Sequence, residues 1–386
     1  MNVRSLADHL SGKGPKRILA LDGGGIRGML TLQILKRIEE VLRERAGGDA
    51  AFRLCDYFDL IGGTSTGSII AAALAMGFTV DELDKLYRDL GNKVFDKGFL
   101  SFGILKAKFP AEPLREVLNV QFGAEKLGGS RIRTGLAIMT KRMDTRSPWI
   151  VHNHPKGKFF HREQATGGAP NSEFLVRHVV RASTAAPHFF EPEYIKVADG
   201  MEGAFVDGGV SPHNNPALQL LMLATLEGYG FRWPLGEDKL MIVSVGTGSK
   251  GPTVESQEYG EMAAAKLAMI SLASLMDDAS ALNETVLQWL SSSPTAREID
   301  AETGDLGKDV LGGGKPWLTY LRYDARLEGQ WLNSVLGLAL SDKDLAGLEE
   351  MDNPKKIEAL ATVGRAAAKL VRPDHFPRQF DISLAI

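Results

Sequence analysis

Ser65 is the residue of this sequence best placed to act as a nucleophile. Gly63-Thr64-Ser65-Thr66-Gly67 fits the spacing G-x-S-x-G, in which small flanking residues allow a tight turn between a strand and a helix. Such a turn exposes the serine hydroxyl at the amino end of the helix. We therefore predict a nucleophilic serine, and the alternative for this segment is an ordinary glycine-rich turn.

A second glycine-rich segment can offer backbone amides to an anion. It reads Asp22-Gly23-Gly24-Gly25-Ile26-Arg27-Gly28, and glycine amides at a helix N-terminus can converge on negative charge. The Gly24 and Gly25 amides, helped by Arg27, would stabilise the oxyanion that forms when Ser65 attacks a carbonyl. A nucleotide phosphate is another candidate anion, but the Walker lysine is absent and the GxGxxG spacing is only partly met. A plain strand-to-helix turn is the third interpretation.

A serine hydroxyl needs a base, and Asp207 is a candidate for that role. Asp207-Gly208-Gly209 follows the apolar residues 204–206, so the carboxyl group would leave the end of a strand directly into a turn. Burial can raise a carboxyl pKa enough for it to accept the serine proton. The only histidines after Asp207 are His213 and His375, and neither has the placement of a separate triad base. A two-residue dyad is favoured, and an ordinary Asp-Gly turn is the alternative.

The elements around these segments alternate between strand and helix. Apolar runs at residues 18–21, 57–61, 131–139, 204–206 and 240–245 predict strands, and helical periodicity follows at 30–42, 68–76, 175–182 and 216–227. This alternation predicts an α/β fold with a mostly parallel sheet, which places ligands at the carboxyl ends of the strands. Residues 259–386 are predicted to be a mainly helical appendage.

Composition narrows the classes of function. The 386 residues carry 45 Lys and Arg against 48 Asp and Glu, a net charge of -3, so no global field attracts a nucleic-acid polymer. Cys55 is the only cysteine, which excludes an intrachain disulfide and favours a reducing, cytoplasmic compartment. Residues 1–17 lack the apolar core of a secretory signal, and the longest apolar stretch, 60–80, is interrupted by residues 62–68. Any membrane contact is therefore expected to be peripheral.

Two other clusters are weaker candidates. Residues 93–109 interleave aromatic and aliphatic side chains with four lysines, a mixture that suits anionic lipid headgroups and equally suits a core-facing loop. His152, His154 and His161 could suggest a metal, but they lack an adjacent acidic partner, so no metal site is expected.

The three catalytic segments together resemble the patatin-like phospholipase family. That family combines a DGGGxRG loop, a GxSxG serine and a DG[GA] aspartate in this order, and similarity extends through 181–192 and 243–248 to cover roughly residues 16–250. The resemblance implies a three-layer α/β/α fold with an N-terminal extension (1–15), a catalytic domain (16–258) and a C-terminal region packed on or capping it (259–386). It assigns Ser65 as nucleophile, Asp207 as general base, and Gly24, Gly25 and Arg27 to the oxyanion site. The other motif positions are Asp22, Gly23, Gly28, Gly63, Gly67, Gly208 and Gly209.

The resemblance also implies an activity. It points to a lipid acyl hydrolase of phospholipase A type that acts peripherally on the inner membrane, without cofactor or metal. Bacterial members include effectors of anti-phage defence activated by cyclic nucleotides, so a cyclic di- or trinucleotide activator is a further expectation. The alternatives are a metabolic esterase or thioesterase with the same dyad, a peptidase, and a catalytically silent lipid- or nucleotide-binding module. Whether the chain forms a homo-oligomer is left open.

Overall fold

A central sheet organises the chain. The computed structural model describes residues 4–95, 109–161, 168–249, 264–311 and 313–382. The sheet has nine strands: β1 (Lys16–Leu21), β2 (Leu60–Thr64), β3 (Gly135–Arg142), β4 (Ser147–His152), β5 (Glu193–Ala198), β6 (Met201–Asp207), β7 (Leu240–Val245), β8 (Ser291–Ser292) and β9 (Leu318–Tyr323).

The strand order is β5-β6-β3-β2-β1-β7-β9-β8, and β4 also pairs with β3. From β3 to β8 all neighbours along this order run parallel, whereas β4, β5 and β6 join through antiparallel pairs. The prediction of an α/β fold with a mostly parallel sheet is confirmed. In such a sheet the loops after neighbouring strands meet at one edge, which is where a ligand site is expected.

Helices cover both faces of the sheet. Along β1, Leu19 and Leu21 pack into one apolar core, whereas Ile18 and Ala20 pack into a second. Successive strand residues point to opposite faces, so the sheet lies between two helical layers. The described helices are α1 (Leu6–Ser11), α2 (Gly28–Arg45), α3 (Leu54–Tyr57), α4 (Thr66–Ala75), α5 (Val80–Leu90), α6 (Glu112–Phe122), α7 (Val176–Ser183), α8 (Ala217–Thr225), α9 (Ala264–Leu290), α10 (Gly329–Leu336), α11 (Asp342–Leu345) and α12 (Ile357–Ala368).

The predicted elements occur with shifted ends. The strand expected at 57–61 begins only at Leu60, because the preceding apolar residues form the short helix α3. Gly77 has φ 87°, the left-handed conformation common after a helix, and Thr79 and Glu82 form a capping box at the start of α5. Antiparallel strands β4 and β5 were not predicted, since both lie partly exposed and carry polar residues that weaken the apolar signal.

The C-terminal region differs from the predicted helical appendage. Helices prevail there, but β9 pairs in parallel with β7, so this region extends the central sheet. Every residue of β9 except Arg322 is buried, the pattern of an interior parallel strand. Helix α12 packs against α2, the helix that follows the glycine-rich loop. Strand β9 was not predicted, because a single short apolar run among helical segments gives little local signal.

No helix of the described residues is both long enough and apolar enough to cross a bilayer. The aromatic and lysine-rich segment at 93–109 lies mostly outside the described residues, which resume at Phe109, a buried ring stacked on Phe189.

Candidate active site

Ser65 occupies a strained turn between β2 and α4. Its backbone has φ 53° and ψ −124°, a conformation that costs a non-glycine residue on the order of 1–3 kcal/mol and is typical of functional sites. A Cβ at Gly63 would overlap the Gly67 carbonyl, and a Cβ at Gly67 would overlap the Leu21 carbonyl. Both positions therefore require glycine, and the predicted tight turn is present.

Strand β3 sets the position of Asp207 relative to Ser65. Met139 of β3 pairs with Thr64, and the next residue, Thr140, pairs with Asp207 at the end of β6. Strand β2, which leads to Ser65, and strand β6, which ends at Asp207, thus both end beside consecutive residues of β3. The two side chains thus come near each other at one edge of the sheet, where the Ser65 hydroxyl acts on the Asp207 carboxyl and lowers its pKa.

The environment of Asp207 raises the pKa of its carboxyl group to about 6. Burial is the largest cause, because it disfavours the charged form. The Ser65 hydroxyl, the Gly209 amide at 2.7 Å from Oδ1 and the positive charge of Arg181 all act in the opposite direction. A carboxyl group with this pKa can both accept and return a proton near neutral pH.

The glycine-rich loop lies next to the serine because β1 and β2 are parallel neighbours, with Leu21 opposite Gly63. The amides of Gly23, Ile26 and Arg27 donate to Asn214 O, Met351 O and Gly24 O, respectively. The Gly24 and Gly25 amides form no hydrogen bond with the part of the chain that is described. Gly25 has φ 59°, and a Cβ there would overlap the Met351 carbonyl. Two adjacent amides are thus left to bind an anion.

Arg27 contacts the backbone that supports this loop. Its guanidinium donates to Gly248 O at 2.9 Å and more weakly to Gly24 O at 3.5 Å. Burial lowers the Arg27 pKa from its usual value. These contacts give Arg27 a role in fixing the orientation of the loop, beside the predicted place at the oxyanion site.

Asp22, the first residue of the loop, is held by a buried ion pair that sequence reasoning missed. Both Asp22 carboxyl oxygens accept from Arg322 of β9, at 3.1 and 2.7 Å, and the two side chains are each 6% exposed. Arg322 also donates to Asp324 at 2.9 Å. Arg322 interrupts the buried apolar run of β9, and this charge within an apolar run was the only feature of the sequence that could have indicated the ion pair.

Two further polar residues were missed. The Ser183 hydroxyl accepts from the Ser65 amide at 2.9 Å and donates to Met139 O at 2.6 Å, so it ties the serine turn to β3. The side-chain oxygen of Asn214 leaves no room for a Cβ at Gly23 and would lie 3.0 Å from one at Gly209. Both residues stand in segments whose sequence was noted but given no role.

Among the described residues, no histidine ring forms a hydrogen bond or ion pair with Ser65 or Asp207. His213 contributes its backbone carbonyl to Thr64 Oγ1, and the His375 ring contacts Tyr323 Oη at 3.0 Å. His152 and His154 are buried beside the Phe231 ring, and burial lowers their pKa values to about 3 and about 4. Within the described residues no group of three His, Cys, Asp or Glu side chains could hold a metal ion.

An apolar cavity borders the segment just after Asp207. It has a volume of ≈370 Å³ and is lined on one side by residues 210–212 and on the other by α9, including Leu275, Met276 and Leu282. The Met276 methyl group would lie 3.3 Å from a Cβ at Gly209. Neither Ser65 nor Asp207 lines this cavity, which starts at Val210, and its outer wall includes the exposed Leu275 and Leu282.

Comparison with known proteins adds family membership to this geometry. A family model described as patatin-like phospholipase matches residues 19–221. Patatin-like protein 1 of Arabidopsis thaliana is 31% identical over 366 residues, a match that covers 88% of this chain and 80% of that protein.

Two bacterial proteins are similar over a shorter part. The cGAMP-activated phospholipase of Escherichia coli (strain TW11681) is 32% identical over 53% of this chain and 55% of its own length. That of Vibrio cholerae is 30% identical over 54% of this chain and 57% of its own length. The match thus spans little more than half of each bacterial relative. Among solved structures, human GIVD cytosolic phospholipase A2 aligns with 95% of this chain and 62% of its own, at 11% identity and a TM-score of 0.43.

Proposed function

The chain belongs to the patatin-like phospholipase family, and from this premise we propose that it hydrolyses acyl esters of membrane glycerophospholipids through Ser65 and Asp207. The observation that carries the proposal is a serine in a strained turn beside a buried carboxyl group whose pKa is raised to about 6. The apolar cavity that begins three residues after Asp207 is a candidate place for part of an acyl chain.

The reaction follows from the two side chains. The Asp207 carboxylate accepts the Ser65 proton, and the serine oxygen attacks the ester carbonyl to form a tetrahedral oxyanion. When the C–O bond breaks, Asp207 returns its proton to the leaving lysophospholipid alcohol, and an acyl-enzyme remains. Asp207 then takes a proton from water as the water oxygen attacks the acyl carbonyl. When the bond to Ser65 breaks, Asp207 returns that proton to the serine oxygen, and the fatty acid is released.

The Gly24 and Gly25 amides bind the oxyanion in this scheme. Neither donates to a described residue, so both are available to a ligand. A donor of this kind contributes on the order of 10²–10³ in kcat. Arg27, through its bond to Gly248 O, keeps the loop in the orientation that presents these amides.

The test is fatty-acid release from phospholipid vesicles. Ser65→Ala and Asp207→Asn are each expected to lower kcat by about 10³ or more while circular dichroism stays unchanged, because each removes a group that reacts. The matched controls are Ser334→Ala and Asp199→Asn, at exposed positions, which are expected to retain activity. Full activity in either dyad variant contradicts the assignment.

Two further measurements separate the alternative functions. A fluorophosphonate probe that labels Ser65 in the unaltered chain and not in Asp207→Asn indicates an activated hydroxyl, which a silent binding module lacks. Hydrolysis of soluble esters or acyl thioesters with intact vesicles left unchanged favours a metabolic esterase or thioesterase instead.

Activation by a cyclic nucleotide, in a defence role exerted at the inner membrane, is the second part of the proposal. It is supported by the names of the two bacterial relatives, which are described as cGAMP-activated. Vesicle hydrolysis is measured with and without a panel of cyclic di- and trinucleotides. A rise in rate with one of them supports activation, and equal rates throughout the panel contradict it.

A further inference from the structure

A second cavity, of ≈450 Å³, lies in the C-terminal part of the chain and has no place in the proposed reaction. Its walls come from the end of β9 with the residues that follow, from residues 295–298, from α10 and from the end of α12. Its volume is in the range of about 300–1,000 Å³ that is usual for small-molecule sites. None of the three catalytic segments contributes to its lining.

The lining is rich in cations although the chain is net negative. Five arginines and lysines face two carboxylates, whereas the whole chain has a net charge of -3. Arg297 is paired with Glu284, and Arg372 with Asp374. Arg326 and Lys369 form no ion pair with any described residue, so their charges are available to an anion.

One wall of this cavity is aromatic. Trp331 of α10 is half-buried and lines the cavity together with Ala367 and Leu370. An indole next to cations is a side chain on which a flat ring can stack. Phosphate alone would not use this apolar wall.

We propose that this cavity binds a nucleoside phosphate, with the phosphate at Arg326 and Lys369 and the base against Trp331. A phospholipid headgroup shares the phosphate chemistry but has no planar ring for the indole face. The nucleoside phosphate is therefore the ligand class that uses both walls of the cavity.

The same cavity touches the anchor of the glycine-rich loop. Arg322 and Asp324 line it, Arg322 pairs with Asp22, and Asp324 accepts from the Gly248 amide at 2.8 Å. Gly248 O in turn accepts from Arg27. A bound anion near Arg322 competes with these carboxylates and changes how firmly the loop is held. This regulatory consequence rests on the proposed hydrolase function, whereas the binding itself does not.

Binding is tested by isothermal titration calorimetry on the full chain carrying Ser65→Ala, which removes hydrolysis from the measurement. The probes are AMP, cyclic GMP-AMP, adenosine, inorganic phosphate and phosphatidylglycerol vesicles. We expect AMP or cyclic GMP-AMP to bind at least about tenfold more tightly than adenosine or phosphate, because only they engage both walls. Arg326→Ala and Trp331→Leu are each expected to weaken this binding at least about tenfold.

Lys13→Ala is the matched control, because Lys13 is an exposed lysine just before β1, at the end of the parallel strands opposite the cavity. This variant is expected to bind the nucleotides as tightly as the unaltered chain does. Failure of both nucleotides to bind, equal affinity for phosphate alone, or unchanged affinity in Arg326→Ala overturns the proposal. Tighter binding to the vesicles than to the nucleotides overturns it in favour of a headgroup site.

The regulatory consequence has a separate readout in a chain with Ser65 intact. The rate of vesicle hydrolysis is expected to change when the bound nucleotide is added and to stay constant in Arg326→Ala. Binding without a change in rate overturns the coupling to the loop. Absence of hydrolysis under all conditions contradicts the proposed function but leaves the calorimetric result on the cavity standing.

Discussion

Burial and hydrogen bonding act on the Asp207 carboxyl in opposite directions. A fully solvated aspartate would be ionised throughout the neutral range and would be a weak base, whereas an unpartnered buried one would stay protonated. The contacts from Ser65 and Gly209 hold Asp207 between these limits. The balance explains how one residue can serve as base in one half of the reaction and as acid in the other.

This balance predicts the pH dependence of hydrolysis. Only the ionised carboxylate accepts the Ser65 proton, so kcat/KM is expected to rise with pH through about 6 and to level above it. The measurement is hydrolysis of a soluble p-nitrophenyl ester from about pH 4.5 to about pH 8, with tryptophan fluorescence as the control for folding. Burial raises the pKa of Asp22 to about 6 as well, and its protonation weakens the pair with Arg322, so a slope above one indicates that both groups contribute. If kcat/KM did not change across this pH range, the role of Asp207 would be contradicted.

At the scale of single residues, the site residues that lie in short local motifs could be predicted from the sequence. Ser65, Asp207 and the loop glycines lie in short motifs whose spacing dictates a turn, and the structure brings them together. Ser183 and Asn214 support the same turns from distant parts of the chain. Their contribution depends on contacts that no local spacing reveals.

At the scale of elements, β9 links the C-terminal region to the glycine-rich loop. Arg322 is the only residue of this strand that is not fully buried, yet its side chain is enclosed with Asp22 and Asp324. Its single positive charge therefore faces two buried carboxylates. Removal of a partner from a buried pair leaves an uncompensated charge, which costs more than the pair itself contributes.

We expect Arg322→Met to lower the free energy of unfolding by about 3–5 kcal/mol and to lower hydrolysis in the fraction that stays folded. Urea unfolding followed by circular dichroism measures the free energy of unfolding, and the soluble-ester assay measures hydrolysis. The matched control is Lys36→Met, which removes one partner of the pair with Asp81, where the side chains are 49% and 65% exposed. That exposed pair is expected to cost at most about 1 kcal/mol. If the two changes lowered the free energy of unfolding equally, the buried pair with Asp22 would stabilise the fold no more than an exposed pair does.

The strands themselves were predicted unevenly, for a physical reason. Interior parallel strands such as β1 and β7 are buried on both faces and read as continuous apolar runs. Strand β5 buries the charged Glu193 and exposes Tyr194, and β8 has only two residues, so neither leaves a clear pattern. Strand β9 has the apolar run but is embedded among helices, which favoured a helical interpretation of its surroundings.

At the scale of the whole molecule, α12 completes the helical layer that α2 begins. Gly364 of α12 faces α2 so closely that a Cβ would lie 2.8 Å from Leu30 O and 2.9 Å from the Gln33 Cβ. Helix α2 starts directly after Arg27, so its position bears on the loop whose amides are proposed to bind the oxyanion. The last third of the chain is thus part of the same packing unit as the catalytic segments.

This packing predicts that a change far from Ser65 affects both stability and hydrolysis. Gly364→Val is expected to lower the free energy of unfolding by about 1–3 kcal/mol, since the added atoms meet backbone that cannot move aside. Thr362→Val, at an exposed position of the same helix, is the control for placing a valine in α12; by helix propensity alone valine is favoured over glycine, so a loss at Gly364 reports the close contact with α2. Urea unfolding and kcat for the soluble ester are measured for both variants. If residues 259–386 were an independent domain, Gly364→Val would leave kcat unchanged; because α12 supports α2, we expect kcat to fall together with stability.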